Sequence, residues 1–122
     1  MNEKRQYPRT ECNIKVSFTF FEGDPDELDT KTAKSVTGKG IIMDISKGGV
    51  FIVSNSRVSV NMPINLNFSS KTKKINIDGF IVRTGLLKNN PSEVAQKFAG
   101  KKAKGDAYIA VKFNKPLDEI PY

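Results

Sequence analysis

The sequence contains no histidine and no tryptophan. Without histidine there is no His-based general acid or base, no Ser/His or Cys/His nucleophile pair, and almost no way to build a zinc site. Carboxylate chemistry survives in principle. Glu22, Asp24, Asp26, Glu27 and Asp29, however, form one turn-rich run, and Asp118 and Glu119 lie near the C-terminus. Such charge runs are solvated surface. The chain is therefore read as a non-enzyme with no catalytic residues, no metal site and no cofactor.

Other shortages narrow the class further. Cys12 is the single cysteine, so no intrachain disulfide can form, which fits a reducing compartment. No stretch reaches the ~20 consecutive apolar residues of a membrane helix, so no membrane span is expected. Met1–Arg9 is polar and lacks the apolar segment of a secretory signal, so a cytoplasmic location is expected. Against these absences stands an excess of positive charge: 20 Lys and Arg face 13 Asp and Glu, a net +7. That balance attracts polyanions, whether nucleic acid, an acidic membrane surface or a phosphate-bearing small ligand.

What is abundant is alternation. At 122 residues the chain has the length of one domain, taken as 1–122 with a flexible leader over about 1–12. Ile14, Val16, Phe18 and Phe20 alternate with polar residues, the signature of a half-buried strand, and Glu22-Gly23-Asp24-Pro25-Asp26 ends it. Gly38–Ile45 predicts a second strand, with Ile41, Met43 and Ile45 on one face. Gly48-Gly49 makes a turn into a third strand, Val50–Ser54. A fourth strand opens at Pro63 with Ile64, Leu66 and Phe68 alternating. A fifth carries Ile75 and Ile77 up to Gly79, where the phase changes to Phe80 and Val82, as at a β-bulge. The last spans Ala107–Phe113. Asn90, Pro91 and Glu93 supply cap chemistry for one short helix before Val94 and Phe98. Six strands with at most one short helix predict an all-β, six-stranded antiparallel barrel, with an open sandwich as the competing architecture.

Two segments carry polar chemistry rather than core alternation. In Arg5-Gln6-Tyr7-Pro8-Arg9, Pro8 biases the chain toward an extended form, and an even offset puts both guanidinium groups on the same side. Two such forks can grip separated phosphates or planar acceptor edges, although a basic leader can equally be a plain polar terminus. In Asp44-Ile45-Ser46-Lys47-Gly48-Gly49, Asp44 and Ser46 share a face while Ile45 points inward. The carboxylate can accept from a donor pair, and the glycines leave backbone bare for close approach. The same residues also suit an ordinary Ser-type turn.

Together the two segments resemble the paired signature of the PilZ domain family, an RxxxR motif (Arg5 and Arg9) followed by (D/N)xSxxG (Asp44, Ser46 and Gly49). The strand–turn–strand from Ile41 to Ile52 and the later strands at Pro63–Leu66, Ile81–Arg83 and Ile109–Phe113 are similar to the family's, so the resemblance covers nearly the whole chain. It implies a six-stranded barrel that binds the bacterial second messenger cyclic-di-GMP. The arginines would meet phosphate and the guanine Hoogsteen edge, and the second motif would meet guanine. Arginine is the natural bidentate partner of guanine O6 and N7, and a carboxylate can accept from N1–H and N2–H₂. Lys4 sits where some members influence how many ligands stack, and Gly48 is a further candidate contact. The stretches 22–37 and 86–106 are longer than usual for the family, and little chain follows the last strand.

A receptor with no output domain must act by changing how it binds a protein partner, and the family suggests motility or biofilm control. A small basic barrel that binds nucleic acid is the alternative raised by the charge. It is disfavoured because most of the eight Phe fall on core-like positions, whereas stacking platforms need exposed aromatics. A PilZ-like adaptor that has lost its ligand is the third reading, and the intact motif residues argue against it.

Overall fold

The computed structural model describes residues 9–21, 34–69, 73–86 and 107–117. Six strands account for most of them: β1 (Thr10–Phe21), β2 (Ser35–Ile45), β3 (Gly49–Ser54), β4 (Pro63–Ser69), β5 (Lys74–Leu86) and β6 (Ala107–Phe113). All pairings are antiparallel, and the sheet closes in the order β1-β2-β3-β6-β5-β4. Closure removes the exposed sheet edges that an open six-stranded sandwich would have to protect. The expected barrel is therefore the observed one. The helix expected near Asn90–Phe98 lies outside the described residues. Among the described residues no helix is long and apolar enough to cross a membrane.

Period-two alternation fills the interior. Ile14, Val16, Phe18 and Phe20 of β1 are all buried, as are Ile64, Leu66 and Phe68 of β4 and Ile109, Val111 and Phe113 of β6. With Ile42, Ile45, Ile52, Met62 and Ile81 they form one interior cluster. At ~25 cal/mol per Å² of apolar surface removed from water, this shared interior is the main stabilising term.

Two strands depart from the expected phase, and each departure is a bulge. In β2, Ile42 lies opposite Ile52 of β3 but Asp44 lies opposite Phe51, which leaves Met43 as the extra residue. Ile42 and Ile45 are therefore the core residues. Met43 instead packs, as Phe51 does, against Val53 and Tyr108 outside the interior cluster, and Ile41 is buried but also outside that cluster. The expected face of Ile41, Met43 and Ile45 is corrected accordingly. In β5 the slip falls between Ile81 and Arg83, at Val82, rather than at Gly79. Ile75, Ile77, Gly79 and Ile81 keep one phase, Ile81 is fully buried, and Val82 is 44% exposed. Gly79 has a different reason to be glycine, because a Cβ there would stand 2.5 Å from the Lys112 carbonyl oxygen. Two boundaries also move. β2 begins at Ser35, three residues before Gly38, and β1 begins at Thr10, inside the expected leader.

Candidate functional site

The start of β1, the end of β2 and the turn into β3 meet at one end of the barrel. The bulge at Met43 has a counterpart across the ladder: Glu11 pairs with Asp44 and Ile14 with Ile42, so Cys12 and Asn13 face one residue of β2. Paired irregularities of this kind re-aim side chains. Here they leave Asp44 only 4% exposed, next to the fully buried Ile45. A buried carboxylate needs compensation. Part of it comes from Arg9, whose Nη1 lies 3.6 Å from Asp44 Oδ2. That distance is an ion pair rather than a tight hydrogen bond, and the Arg9 side chain is 44% exposed. The guanidinium therefore keeps donors turned toward solvent.

The turn itself is held by its own serine. Ser46 N–H donates to the Gly49 carbonyl (2.9 Å), Gly48 N–H donates to Ser46 Oγ (3.2 Å), and Ser46 Oγ donates to the Gly49 carbonyl (3.4 Å). Gly49 is required by close approach rather than by a left-handed backbone: a Cβ there would collide with the Val111 carbonyl oxygen of β6. The turn is then tied to the end of β6 and the segment after it, with Phe113 N–H donating to Gly48 O (2.9 Å) and Leu117 N–H to Lys47 O (2.7 Å). These bonds fix Ser46, Gly48 and Gly49 relative to β6.

Arg9, Asp44, Ser46, Gly48 and Gly49 all border one cleft of about 470 Å³. Both sequence motifs thus reach the same place, through Arg9 from the first and all its named residues from the second. Arg5 and Lys4 lie outside the described residues. The cleft has further walls that motif reading missed, namely Phe51, Val82 and Lys112, with Asn114 and Pro116 after β6. Strand alternation could have supplied Phe51 and Lys112, since both point outward on strands beside the turn. Val82 needed the bulge to be placed correctly. Phe51 is stacked on Tyr108 with ring planes 7° apart and centroids 5.5 Å apart, which fixes an aromatic surface at the cleft's edge. Donors, an acceptor carboxylate and an apolar wall on one rim suit a flat heterocycle with an anionic backbone.

Cys12 stands close behind this site. Burial, and secondarily the Asp44 charge, raise its thiol from 9.0 to about 11. Its Sγ donates weakly to the Ile42 carbonyl at 3.5 Å. A thiol so held is protonated at neutral pH and is a poor nucleophile.

Comparison with known proteins agrees with this architecture. No curated protein matches the chain. Among solved structures, the Bacillus subtilis inhibitor of motility MotI/DgrA superposes with a TM-score of 0.58 at 15% identity, covering 96% of this chain and 46% of that one. The PilZ domain of YcgR from Escherichia coli, a structure with c-di-GMP, superposes with a TM-score of 0.56 at 10% identity, covering 92% of this chain and 79% of that one. This chain thus spans less than half the length of the Bacillus protein, and at these identities the likeness is one of fold. The sequence model of the PilZ domain matches residues 3–120. With nearly the whole length matched, and with a closed six-stranded barrel that brings Arg9 and the second motif to one cleft, the chain belongs to the PilZ domain family.

Proposed function

We propose that this protein is a non-enzymatic cytoplasmic receptor for cyclic-di-GMP that signals through ligand-dependent contact with a partner protein. The observation that carries this reading is the juxtaposition of Arg9 and Asp44 on the rim of one cleft, 3.6 Å apart. The pair presents complementary chemistry to a single base. The guanidinium donates to guanine O6 and N7, and the carboxylate accepts from N1–H and N2–H₂. Without ligand the two groups compensate each other, and with ligand each gains a base edge. Arg5, four residues before Arg9, would add a second fork on phosphate. Lys4 would bias the site toward a stacked pair of ligands. Lys112, the ladder partner of Gly49, would add a cation toward the ligand's anionic backbone. Partner recognition would follow when ligand draws the Arg5–Arg9 leader against the barrel and reshapes the surface beside the cleft.

Calorimetric titration with cyclic-di-GMP, cyclic-di-AMP and GTP tests the assignment. Cyclic-di-GMP should bind far more tightly than cyclic-di-AMP, since adenine turns an acceptor toward Asp44 and an amino donor toward the arginines. Arg9→Ala should weaken binding about ten- to a hundredfold, the worth of one charge-assisted contact of ~1.5–3 kcal/mol. Asp44→Ala should erode base discrimination more than overall attraction. Equal affinity for the two cyclic dinucleotides, or salt-sensitive binding of random oligonucleotides in their place, would overturn the reading.

A further inference from the structure

A second and larger cleft, of about 1030 Å³, opens where the N-terminal half of β1 passes the end of the β4–β5 hairpin. It shares no bordering residue, among those described, with the Arg9–Asp44 cleft, and is a surface separate from the cyclic dinucleotide site. Its origin is a mismatch in strand lengths. β1 pairs with β4 only from Val16 to Phe20, whereas its pairing with β2 reaches back to Thr10. On the side away from β2, the backbone of 12–15 therefore faces no strand among the described residues. Such an edge offers N–H and C=O groups to any extended chain that reaches it.

The surroundings specify which kind of chain. Lys15, Lys39 and Lys74 are all exposed and stand around the opening, one each from β1, β2 and β5. Among the described residues none of the three takes part in an ion pair. Asp78, the nearest carboxylate along β5, already accepts from Asn65. Between the lysines the floor is apolar, formed by Ile14, Phe68 and Ile75. Phe68, the one aromatic residue among those described around this opening, is 5% exposed and gives a nucleobase no open platform to stack on.

We propose that this groove docks an acidic, extended segment of a partner protein, added as a strand along β1 at 12–15, where no described strand pairs on that side. Main-chain hydrogen bonds to 12–15 set its register. Alternate side chains then point into the apolar floor, and the acidic ones between them meet the three lysines. Basic segments are excluded by the same lysines.

The test uses the full chain and a fluorescein-labelled probe peptide of four Glu-Val repeats, followed by fluorescence anisotropy at low salt. The peptide should bind, and a Lys-Val repeat of equal length should not. Combined Lys15→Glu, Lys39→Glu and Lys74→Glu should weaken binding at least tenfold while the thermal midpoint stays within a few degrees. Methylating alternate peptide nitrogens should weaken binding although charge is unchanged, and backbone amide shifts should concentrate at 13–17, 67–69 and 74–75. If the triple reversal does not fold, the triple Lys→Gln variant takes its place, with a severalfold loss expected. The proposal falls if the lysine peptide binds as well, if the lysine variants keep full affinity, if the shifts map to the Arg9–Asp44 cleft, or if single-stranded oligonucleotide occupies the groove and the peptide does not.

Discussion

The β4–β5 and β2–β3 hairpins are built from similar apolar alternation, yet among the described residues only β2–β3 buries a charged side chain. β4 and β5 pair from Pro63 with Phe80 to Ser69 with Lys74 without a slip. Their outer face carries a ladder of Asn65, Asn67, Asn76 and Asp78, bonded to one another in the open. β2 and β3 slip at Met43, and just past the slip a carboxylate is buried and an arginine is held against it. A regular ladder produces a wall with an apolar inside and a polar outside. One extra residue breaks that partition and lets a charge sit at the core boundary, which a binding site needs and a wall does not.

The sharpest way to test this contrast is to truncate neighbours across each bulge. Ile42→Ala and Ile81→Ala should each cost about 2–5 kcal/mol, since both side chains are fully buried in the interior cluster. Val82→Ala should be nearly neutral, and Met43→Ala should cost clearly less than Ile42→Ala. Chemical denaturation of the four variants reads the order directly. The reverse order would mean that the strict alternation of Met43 and Val82 is right and the bulges are not there.

That order also marks how far the sequence could be read. Ile14 to Phe20, Ile64 to Phe68 and Ile109 to Phe113 alternate without interruption, and each strand is found where its alternation puts it. Around Met43 the run Ile41-Ile42-Met43 is apolar at every position. Period two then cannot choose a face, and only the register against β1 and β3 decides. Gly79 drew the phase break to itself because glycine is the usual mark of a bulge, whereas here it answers to the backbone of β6. In the site, Arg9, Asp44, Ser46 and Gly49 were legible as motif residues. Phe51 and Lys112 belong to neither motif and are found only by following outward alternation from the turn into β3 and onto its ladder partner β6, and Val82 only once the β5 bulge is placed.

Gly49 gives the next largest effect and probes the other end of the same hairpin. Gly49→Ala places a methyl against the Val111 carbonyl oxygen, which is backbone and cannot rotate away. Forcing β3 from β6 there should cost about 1–3 kcal/mol and also distort the Ser46 turn. A thermal midpoint unchanged by Gly49→Ala would show that β3 and β6 have slack at the cleft.

Cys12 reads the charge at the site more gently. Its raised thiol, about 11 against 9.0, means that the folded state holds the proton more tightly than the unfolded state. This contribution is fully present below about pH 9 and is lost as pH rises through about 11. Alkylation of the native protein near pH 9 should therefore run more than tenfold slower than in denaturant. Asp44→Asn should speed it only in part, because burial is the larger cause. Full recovery of reactivity in Asp44→Asn would make the carboxylate, not burial, the dominant influence.

The smallest effect belongs to the regular hairpin. Asn65 Nδ2 donates to Asn76 Oδ1 (3.0 Å) and Asp78 Oδ1 (2.7 Å), and Asn65 Oδ1 accepts from Asn76 (2.9 Å) and Asn67 (3.3 Å). Such a count of bonds looks like a clamp on β4 and β5. Every one of them is exposed, however, so each amide trades a protein partner for water at little net cost, and ordering four polar side chains has an entropic cost of its own. Asparagine is also a poor strand former, and a β-branched residue fits the pleat better. Asn65→Thr should therefore shift stability by no more than about 0.5 kcal/mol in either direction. The same substitution should leave the proposed cyclic-di-GMP binding untouched, since Asn65 is on the β4–β5 wall and does not border the Arg9–Asp44 cleft. A loss above about 2 kcal/mol would show that the amide ladder, rather than the apolar interior behind it, holds the β4–β5 wall in register.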